Sequence, residues 1–533
     1  MPAPASHPVV RAMLVLPARV VPVWLRDCLV SLRDADFVSL NIVVADCDLG
    51  ITEVRPSILD FWMRIEARIF RSKISVPESS LDLVDVSDEL ASANAAAVDD
   101  IALAEIGTAL AARQTEMVIW AVPERPPGDA ISVPKHGFLT IGDALSGAFG
   151  MYEFVTRTPG TRCDIVRLGA SRADDRIVAS SYATTDDMLL GRGINGLRAK
   201  CEALLLSTIN RLARGADPKL DGLPEGSAAV EPRKEPGILL SIWGLMRLLG
   251  RYVTSVLGER LFVDQWQLAY RIGGDRLDPS GLTRLAPDHR GFWADPFVAE
   301  RDGRTFIFFE ELSPETQRGH IAAIEVDAEG NTGAPVDVLV RDYHLSYPFL
   351  FEYEGELYMM PECSEAGRVE VFHCEQFPDQ WKPHKVMLDG LCGIDPTLIE
   401  FDGLWWLFVN ALTDRNASWD ELRLYYADSP FGEWTPHPLN PIRLDTRGAR
   451  PGGAVFRENG KLYRPAQDCS VRYGWALTIH EITRLTAEEF SEVEVRRISA
   501  DWAAGAQGTH TVNQAYGITV YDCEMRPRIK TLR

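Results

Sequence analysis

The sequence lacks the signatures of a metal or disulfide protein. Its nine cysteines, at 28, 47, 163, 201, 363, 374, 392, 469 and 523, form no CxxC pair and no zinc spacing, and their odd number is no disulfide framework. Reduced, mostly packed thiols are expected, and no metal. Long apolar runs are absent too. None reaches the eighteen or so residues of a bilayer span, and the first residues lack a basic, apolar, small-residue signal triad. A cytoplasmic protein is the expectation. Positive charge is short, with 55 Lys and Arg against 76 Asp and Glu and a net charge of −21. That balance argues against nucleic acid or an anionic membrane as the main partner. Neither a GxGxxG nor a GxxxxGK[ST] phosphate loop is expected, so a nucleotide role has no motif of its own. At 533 residues the chain is too long for one ordinary domain.

What is present is a hairpin signal. In "GFWADPFVAERDGRTFIFFEE", residues 291 to 311, Asp302-Gly303 lies between alternating apolar segments. A two-residue Asp-Gly loop predicts a type I′ turn, which needs positive φ at both central positions. Pairing outward from the turn sets Arg301 against Arg304 and brings Asp295 opposite Glu310. Counting eight back and seven forward from later glycines repeats the pattern. Gly355 gives Tyr347 and Glu362, Gly403 gives Asp395 and Asn410, Gly460 gives Gly452 and Gln467, and Gly517 gives Thr509 and Glu524. The marker glycines lie 52, 48, 57 and 57 residues apart. Such a period, with about four strands per unit, predicts an all-β five-bladed propeller. Residues 264 to 270, "DQWQLAY", are placed to close the ring by joining the last blade.

Inner hairpins of a propeller surround a central channel, so residues in one register converge. Asp295, Asp395, Glu362 and Glu310 are the catalytic candidates. Trp293, Tyr347, Asn410, Arg450, Gln467, Asp468, Tyr473 and His510 are the substrate-binding ones, with Glu311 also one residue out of register. Crowded acids push one another's pKa values apart, leaving one protonated as an acid and another free as a base or nucleophile. Glycosidic-bond chemistry needs that pairing. The competing reading is local: "DP" at 295 and 395 suits a strand entry, with the side chains bonding nearby amides. Trp405 and Trp406 read as blade packing.

The first part of the chain reads differently. "RAMLVLPA", "LNIVVAD" and "MVIWAVP" are buried strands alternating with helical segments around 57–71, 93–113 and 194–213, a βαβ pattern with a mainly parallel sheet. Residues 214 to 236 concentrate Pro, Gly, Ser and charge as a linker does. The apolar stretch 237–263 is interrupted by Arg247, Arg251 and Arg260. It reads as an amphipathic helical connector, packed between domains or in shallow peripheral contact with a membrane. The expected order is an α/β domain at 1–213, a linker at 214–236, the connector at 237–263 and the propeller at 264–533.

"WADPF" and "GIDPTLIEFDGLWWLF" resemble the first and third blades of five-bladed propellers of the glycoside hydrolase family 43 type. Residues 264 to 524 resemble more closely the N-terminal domain of the plant glucosamine inositolphosphorylceramide transferases. The hydrolase resemblance implies Asp295 as general base and Asp395 as the acid that orients and tunes its partner. It also implies a general-acid Glu in blade 4, where "ARPGGAVF" has no carboxylate. Either Glu362 or Glu310 replaces it, or Arg450 signals a phosphate-bearing substrate, because a guanidinium fork suits phosphate oxygens. Residues 10 to 213, through "GFLTIGDALSGAFGMYEFV" and "DDRIVASSYATT", resemble the formyltransferase fold, a Rossmann-like α/β domain. That fold's formyl-folate enzymes use an Asn-x-His motif and a later Asp. The matching positions are Thr140 and Gly142, with Asp174 or Asp175 in the third role. Thr and Gly supply no imidazole, so a non-formylating relative is implied, binding a nucleotide or sugar donor or mediating assembly.

The leading expectation is a cytoplasmic carbohydrate-active enzyme, with the inner face of the membrane as an alternative location. It would transfer a glycosyl unit, from a sugar-nucleotide donor in one version, to a glycan or glycolipid acceptor in surface-polysaccharide or glycolipid assembly. Three alternatives stay open: a glycoside hydrolase or phosphorylase, a non-catalytic glycan-binding scaffold, and a sugar N-formyltransferase.

Overall fold

The computed structural model describes residues 9–46, 58–69, 83–92, 99–141, 149–186, 188–217, 236–259, 261–287, 289–413 and 419–528. The chain forms two compact units, 1–251 and 252–533. The division falls inside the helix Ile238–Glu259, the segment that the sequence sets apart as a connector. Most of the linker, 218–235, lies outside the described residues, as does Gly142.

The first unit is an α/β domain with a seven-stranded sheet. In spatial order the strands are Asp99–Ala102, Val38–Asp46, Val10–Leu16, Met117–Trp120, Phe138–Thr140, Gly160–Leu168 and Arg176–Thr184. The first five run parallel and the last two antiparallel. Helices Ile58–Ile69 and Leu190–Ala213 lie where the periodicity predicts them. The expected helix at 93–113 is only partly so. Its residues 93–98 lie outside the described set, 99–102 form an edge strand, and the helix is confined to Ile106–Ala112. Parallel pairing with Val43–Asp46 and burial of Ile101 outweigh the helical tendency of an alanine-rich stretch.

The second unit is a five-bladed propeller of antiparallel sheets, four of them four-stranded and the third five-stranded, because the short strand Arg443–Leu444 also pairs with Glu421–Ala427. The inner hairpins are Phe292–Arg301 with Arg304–Leu312, Ser346–Tyr353 with Glu356–Glu362, Cys392–Phe401 with Leu404–Leu412, Phe456–Glu458 with Lys461–Asp468, and Val512–Ala515 with Ile518–Met525. Strand Gln265–Ile272 pairs with Ile518–Met525, so the last blade is completed by chain that precedes the first. All five hairpins turn on two residues with positive φ: Asp302-Gly303, Glu354-Gly355, Asp402-Gly403, Asn459-Gly460 and Tyr516-Gly517. That is the type I′ backbone, whose twist matches the strands it joins.

The predicted pairing of Asp295 with Glu310 is off by one residue. Arg301 does face Arg304, but Glu310 faces Ala294, because the register slips between Ala294 and Phe297. The same slip occurs between Ser346 and Phe349 and between Ile394 and Thr397. Each is a bulge built on a residue and its following proline: Asp295-Pro296, Tyr347-Pro348 and Asp395-Pro396. Proline has no N–H for the ladder, and the residue before it takes a positive φ of 52°, 44° and 49° respectively. A non-glycine residue there, ahead of proline, costs on the order of 1–3 kcal/mol. Bulges re-aim side chains, and these three re-aim one per blade.

The strands are buried on both faces. Phe306 and Phe308 pack toward Leu357 and Met359 of the next blade, while Ile307 and Phe309 pack with Leu268, Ile518 and Val520 of the last. Period-two alternation thus feeds two cores from one apolar run. Trp406 lies in the core between the third and fourth blades. The fourth blade departs from the pattern at Gly453, whose φ is 136° and where a Cβ would stand 2.1 Å from the Val512 carbonyl oxygen. Gly453→Ala is expected to lose about 2–4 kcal/mol of stability in a denaturant melt. Gly460→Ala, at a positive φ with open space around it, should lose only about 1 kcal/mol.

Candidate functional site

The three bulge residues and the fourth-blade Arg450 meet at the centre of the ring. Asp395 is fully buried, and its carboxylate accepts from Arg450 Nε at 2.6 Å, Arg450 Nη2 at 3.3 Å and Gln467 Nε2 at 3.0 Å. Arg450 Nη2 lies 3.5 Å from Glu362 Oε2, and its guanidinium sits 4.9 Å over the Tyr473 ring. Glu362 Oε1 accepts from the Ser364 hydroxyl at 2.7 Å. Asp295 Oδ1 accepts from the Thr511 hydroxyl at 2.6 Å and lies 3.5 Å from His510 Nε2. His510 Nδ1 in turn lies 2.6 Å from Asp522. Glu310 Oε1 is 3.1 Å from His344 Nε2.

Burial governs the electrostatics. It pushes Asp295 up to about 6, helped by the Asp522 and Glu310 carboxylates and opposed by His510. Burial also raises Asp395 well above the usual carboxylate range, with Glu362 and Asp295 adding to it and Arg450 pulling against it. For His510, burial works against the charged form, but Asp522 and Asp295 outweigh it and its pKa rises. His344 rises for the same kind of reason, with Glu310 as the acid that overcomes its burial. Burial raises the Tyr347 and Tyr473 phenols well above their ordinary value. The site therefore holds carboxylates that cannot all be charged at once beside bases that prefer to be.

Several residues expected at the rim do other things. Asp468 is an ion-pair partner of Arg497 and caps the Ser470 amide, on the opposite face of its strand from Gln467. Glu311 similarly turns away from Glu310 and pairs with His289 at 3.0 Å. Trp293 is packed against Phe309, with ring centroids 5.1 Å apart, and belongs to an apolar core. Tyr347 is central but committed: its hydroxyl lies 2.9 Å from Thr397 Oγ1 and accepts the Gly453 N–H at 3.0 Å. Arg450 is held by two carboxylates, which removes the reading of it as a free phosphate fork. Gln467 donates to Asp395 and to the Pro451 carbonyl. Asn410 is fully buried with neither side-chain polar atom hydrogen-bonded, in the register position that Glu310 and Glu362 hold in their blades.

Sequence reasoning missed four members of the site. Asp522 accepts the backbone N–H groups of Asp295, His510 and Thr511, at 3.2, 2.9 and 3.0 Å, and so ties the first blade to the last. Thr511 reaches Asp295 directly. Trp266, from the closing strand, stacks on His510 at 3.9 Å between centroids. His344 precedes the second bulge by three residues; its Nδ1 accepts the Gly319 N–H, which leaves its Nε2 proton facing Glu310. All four lie outside the register counted from the turn glycines, and only the "DP" motifs hinted that their surroundings matter. Among the described residues two groups place ligand atoms within 4.8 Å of one another and could hold a cation: Asp295, His510 and Asp522 in the buried centre, and Glu311, His320 and Asp337 nearer the surface.

In the first unit, Asp175 accepts two hydrogen bonds from Arg125, and Asp174 caps Ser171. Thr140 is buried at the end of its strand. A GxGxxG spacing, Gly191 to Gly196, does occur at the start of helix Leu190–Ala213. The chain itself fills that terminus: Glu66 accepts the Leu190 and Gly191 amides, and Asp186 those of Met188 and Leu189. No strand–turn–helix phosphate cradle forms there, because the preceding strand is the antiparallel edge of the sheet.

Residues 285–514 match a family model described as glucosamine inositolphosphorylceramide transferase 1, N-terminal. The glucosamine inositolphosphorylceramide transferase 1 of Oryza sativa subsp. japonica is 40% identical over 225 residues, covering 40% of this chain and 30% of the relative. That of Arabidopsis thaliana is 39% identical over 208 residues, covering 38% and 27%. The chain thus spans about 30% of the length of the curated relatives it matches. Among solved structures, a family 117 glycoside hydrolase of Zobellia galactanivorans is 15% identical, covering 49% of this chain and 90% of that one, with a TM-score of 0.32. The catalytic domain of a Coprinopsis cinerea GH62 α-L-arabinofuranosidase is 12% identical, covering 50% and 98%, with a TM-score of 0.34.

Proposed function

We propose that this protein is a carbohydrate-active enzyme that transfers a glycosyl unit at the centre of the propeller, in glycolipid or surface-polysaccharide assembly. One observation carries the reading: Asp295, Asp395, Glu362 and Glu310 converge in a buried centre where Asp295 is pushed to about 6. The match of 285–514 to a glycosyl-transferring family supports it. In this reading Asp295 is the general base that takes a proton from the acceptor hydroxyl, kept in place by Thr511 and His510. Asp395, Arg450 and Gln467 form a rigid floor that sets the position of Glu362. The lack of a carboxylate in the fourth-blade segment "ARPGGAVF", where Arg450 stands instead, fits a donor whose leaving group is already acidic, as a nucleoside diphosphate is, and departs without being protonated. The N-terminal unit, formyltransferase-like by the resemblance above, serves assembly rather than formyl transfer. Its Asp175 is committed to Arg125, and threonine stands at 140.

Incubation of the purified protein with sugar nucleotides and glycan or glycolipid acceptors tests this. Transfer should rise with pH through about 6, because a base must shed its proton to act. Sugar release from glycans with no nucleotide donor present would instead favour a glycosidase or phosphorylase. The observation on that side is Glu362, whose Oε2 makes no hydrogen bond and lies 3.5 Å from Arg450 Nη2, beside Asp395.

A further inference from the structure

We propose that the helix Ile238–Glu259 lies on a lipid bilayer, with one apolar face sunk to the headgroup boundary. Ile238, Leu239, Ile242, Trp243, Met246 and Leu249 are between 42% and 85% exposed. At about 100° per residue these six fall within an arc of roughly 140°. The opposite arc carries Ser241, Gly244 and Leu248, which are buried. Gly244 shows how closely that side is held, since a Cβ there would meet the Val155 side chain at 2.8 Å. The stretch 238–250 therefore packs by one face within the first unit and offers the other to its surroundings. An exposed apolar stripe of this size on a single helix marks an interaction surface.

The chemistry of its border selects a membrane as the occupant. Arg247 and Arg251 lie between the apolar arc and the buried one, and residues 238 to 258 contain no acid. The Arg247 guanidinium stacks 4.2 Å over Trp243, an arrangement that keeps the cation at the edge of the apolar face. Tryptophan beside arginine suits the headgroup level, where lipid phosphates meet acyl chains. No helix among the described residues is long and apolar enough to cross a membrane, and this one is apolar toward its surroundings on one side only. The net charge of −21 repels anionic lipids at long range. Apolar insertion, with local arginine–phosphate contact, therefore carries the binding.

The test is flotation of the full chain with phosphatidylcholine vesicles containing a minority of phosphatidylglycerol. The chain should float with the vesicles. Leu239→Asp with Met246→Asp should lower its partitioning at least tenfold, and Arg247→Gln should lower it less. Because these side chains are exposed, the circular dichroism spectrum and melting temperature should not change, which separates loss of binding from loss of folding. Failure of the wild-type chain to float, or equal partitioning of the aspartate variant, overturns the proposal. Self-association in ultracentrifugation, abolished by the same variant while flotation is unaffected, would assign the face to a second copy instead. None of these readouts requires turnover, so the result stands apart from the glycosyl-transfer reading.

Discussion

Asp295→Asn is expected to cut glycosyl transfer by about 10²- to 10⁴-fold, the usual contribution of a general base, and yet to make the folded protein more stable at pH 8. Both effects follow from one burial. Asp295 is pushed to about 6 in the folded chain, against about 3.9 in an unfolded one. The native state therefore holds the proton more tightly than the unfolded state. Wild-type stability falls as pH rises from about 4 to about 6 and stays lower above that. A shift of this size corresponds to at most about 3 kcal/mol. The amide does not titrate and escapes the penalty, but it loses the attraction of His510, so about 1–2 kcal/mol of net gain is expected at pH 8. Below about pH 4 the gain should vanish. Urea unfolding at the two pH values measures it, and a variant less stable than wild type at both would contradict the assignment.

The second large effect concerns Arg450. Arg450→Met should destabilise the propeller by about 3–5 kcal/mol, because it leaves Asp395 and Glu362 buried without the cation they share, so that they must take up protons or remain charged and unpaired. Adding Asp395→Asn should recover much of that loss, since the neutral amide needs no counter-charge. A double-mutant cycle in urea should give a coupling of about 2 kcal/mol or more. Simple additivity would mean that the two groups, 2.6 Å apart in the structure, do not depend on each other. Arg450→Lys should not rescue, because an ammonium cannot place two donors on Asp395 and a third toward Glu362.

The turns were the most legible part of the chain. A residue followed by glycine between apolar segments has one favoured hairpin backbone, and all five such pairs adopt it. Counting outward from those glycines also finds Glu310, Glu362 and Asn410 in equivalent places, opposite Ala294, Ser346 and Ile394. The other strand of each hairpin was less legible. Proline at 296, 348 and 396 forces an extra residue into the inner strand, so a uniform count misplaces whatever precedes it by one. Face was misjudged where an acid sat next to a central residue. Glu311 and Asp468 alternate away from Glu310 and Gln467 and find partners elsewhere in their blades. The residues that complete the site, Asp522, Thr511, Trp266 and His344, were not visible because their role depends on which blade stands beside which. Helix and strand in the first unit were confused only where pairing, rather than local propensity, decides the outcome, at Asp99–Ala102.

The pairing of Gln265–Ile272 with Ile518–Met525 has a kinetic corollary. During synthesis, nearly the whole propeller must leave the ribosome before these two segments can meet, a contact of very long sequence separation and correspondingly slow formation. Until then, Asp295 has neither Thr511 nor His510 beside it, and its backbone amide lacks the Asp522 oxygen. The nascent chain can assemble its early blades, yet its candidate base is uncoupled from the groups that tune it. The arrangement proposed for glycosyl transfer is thus completed late, by the same event that seals the ring.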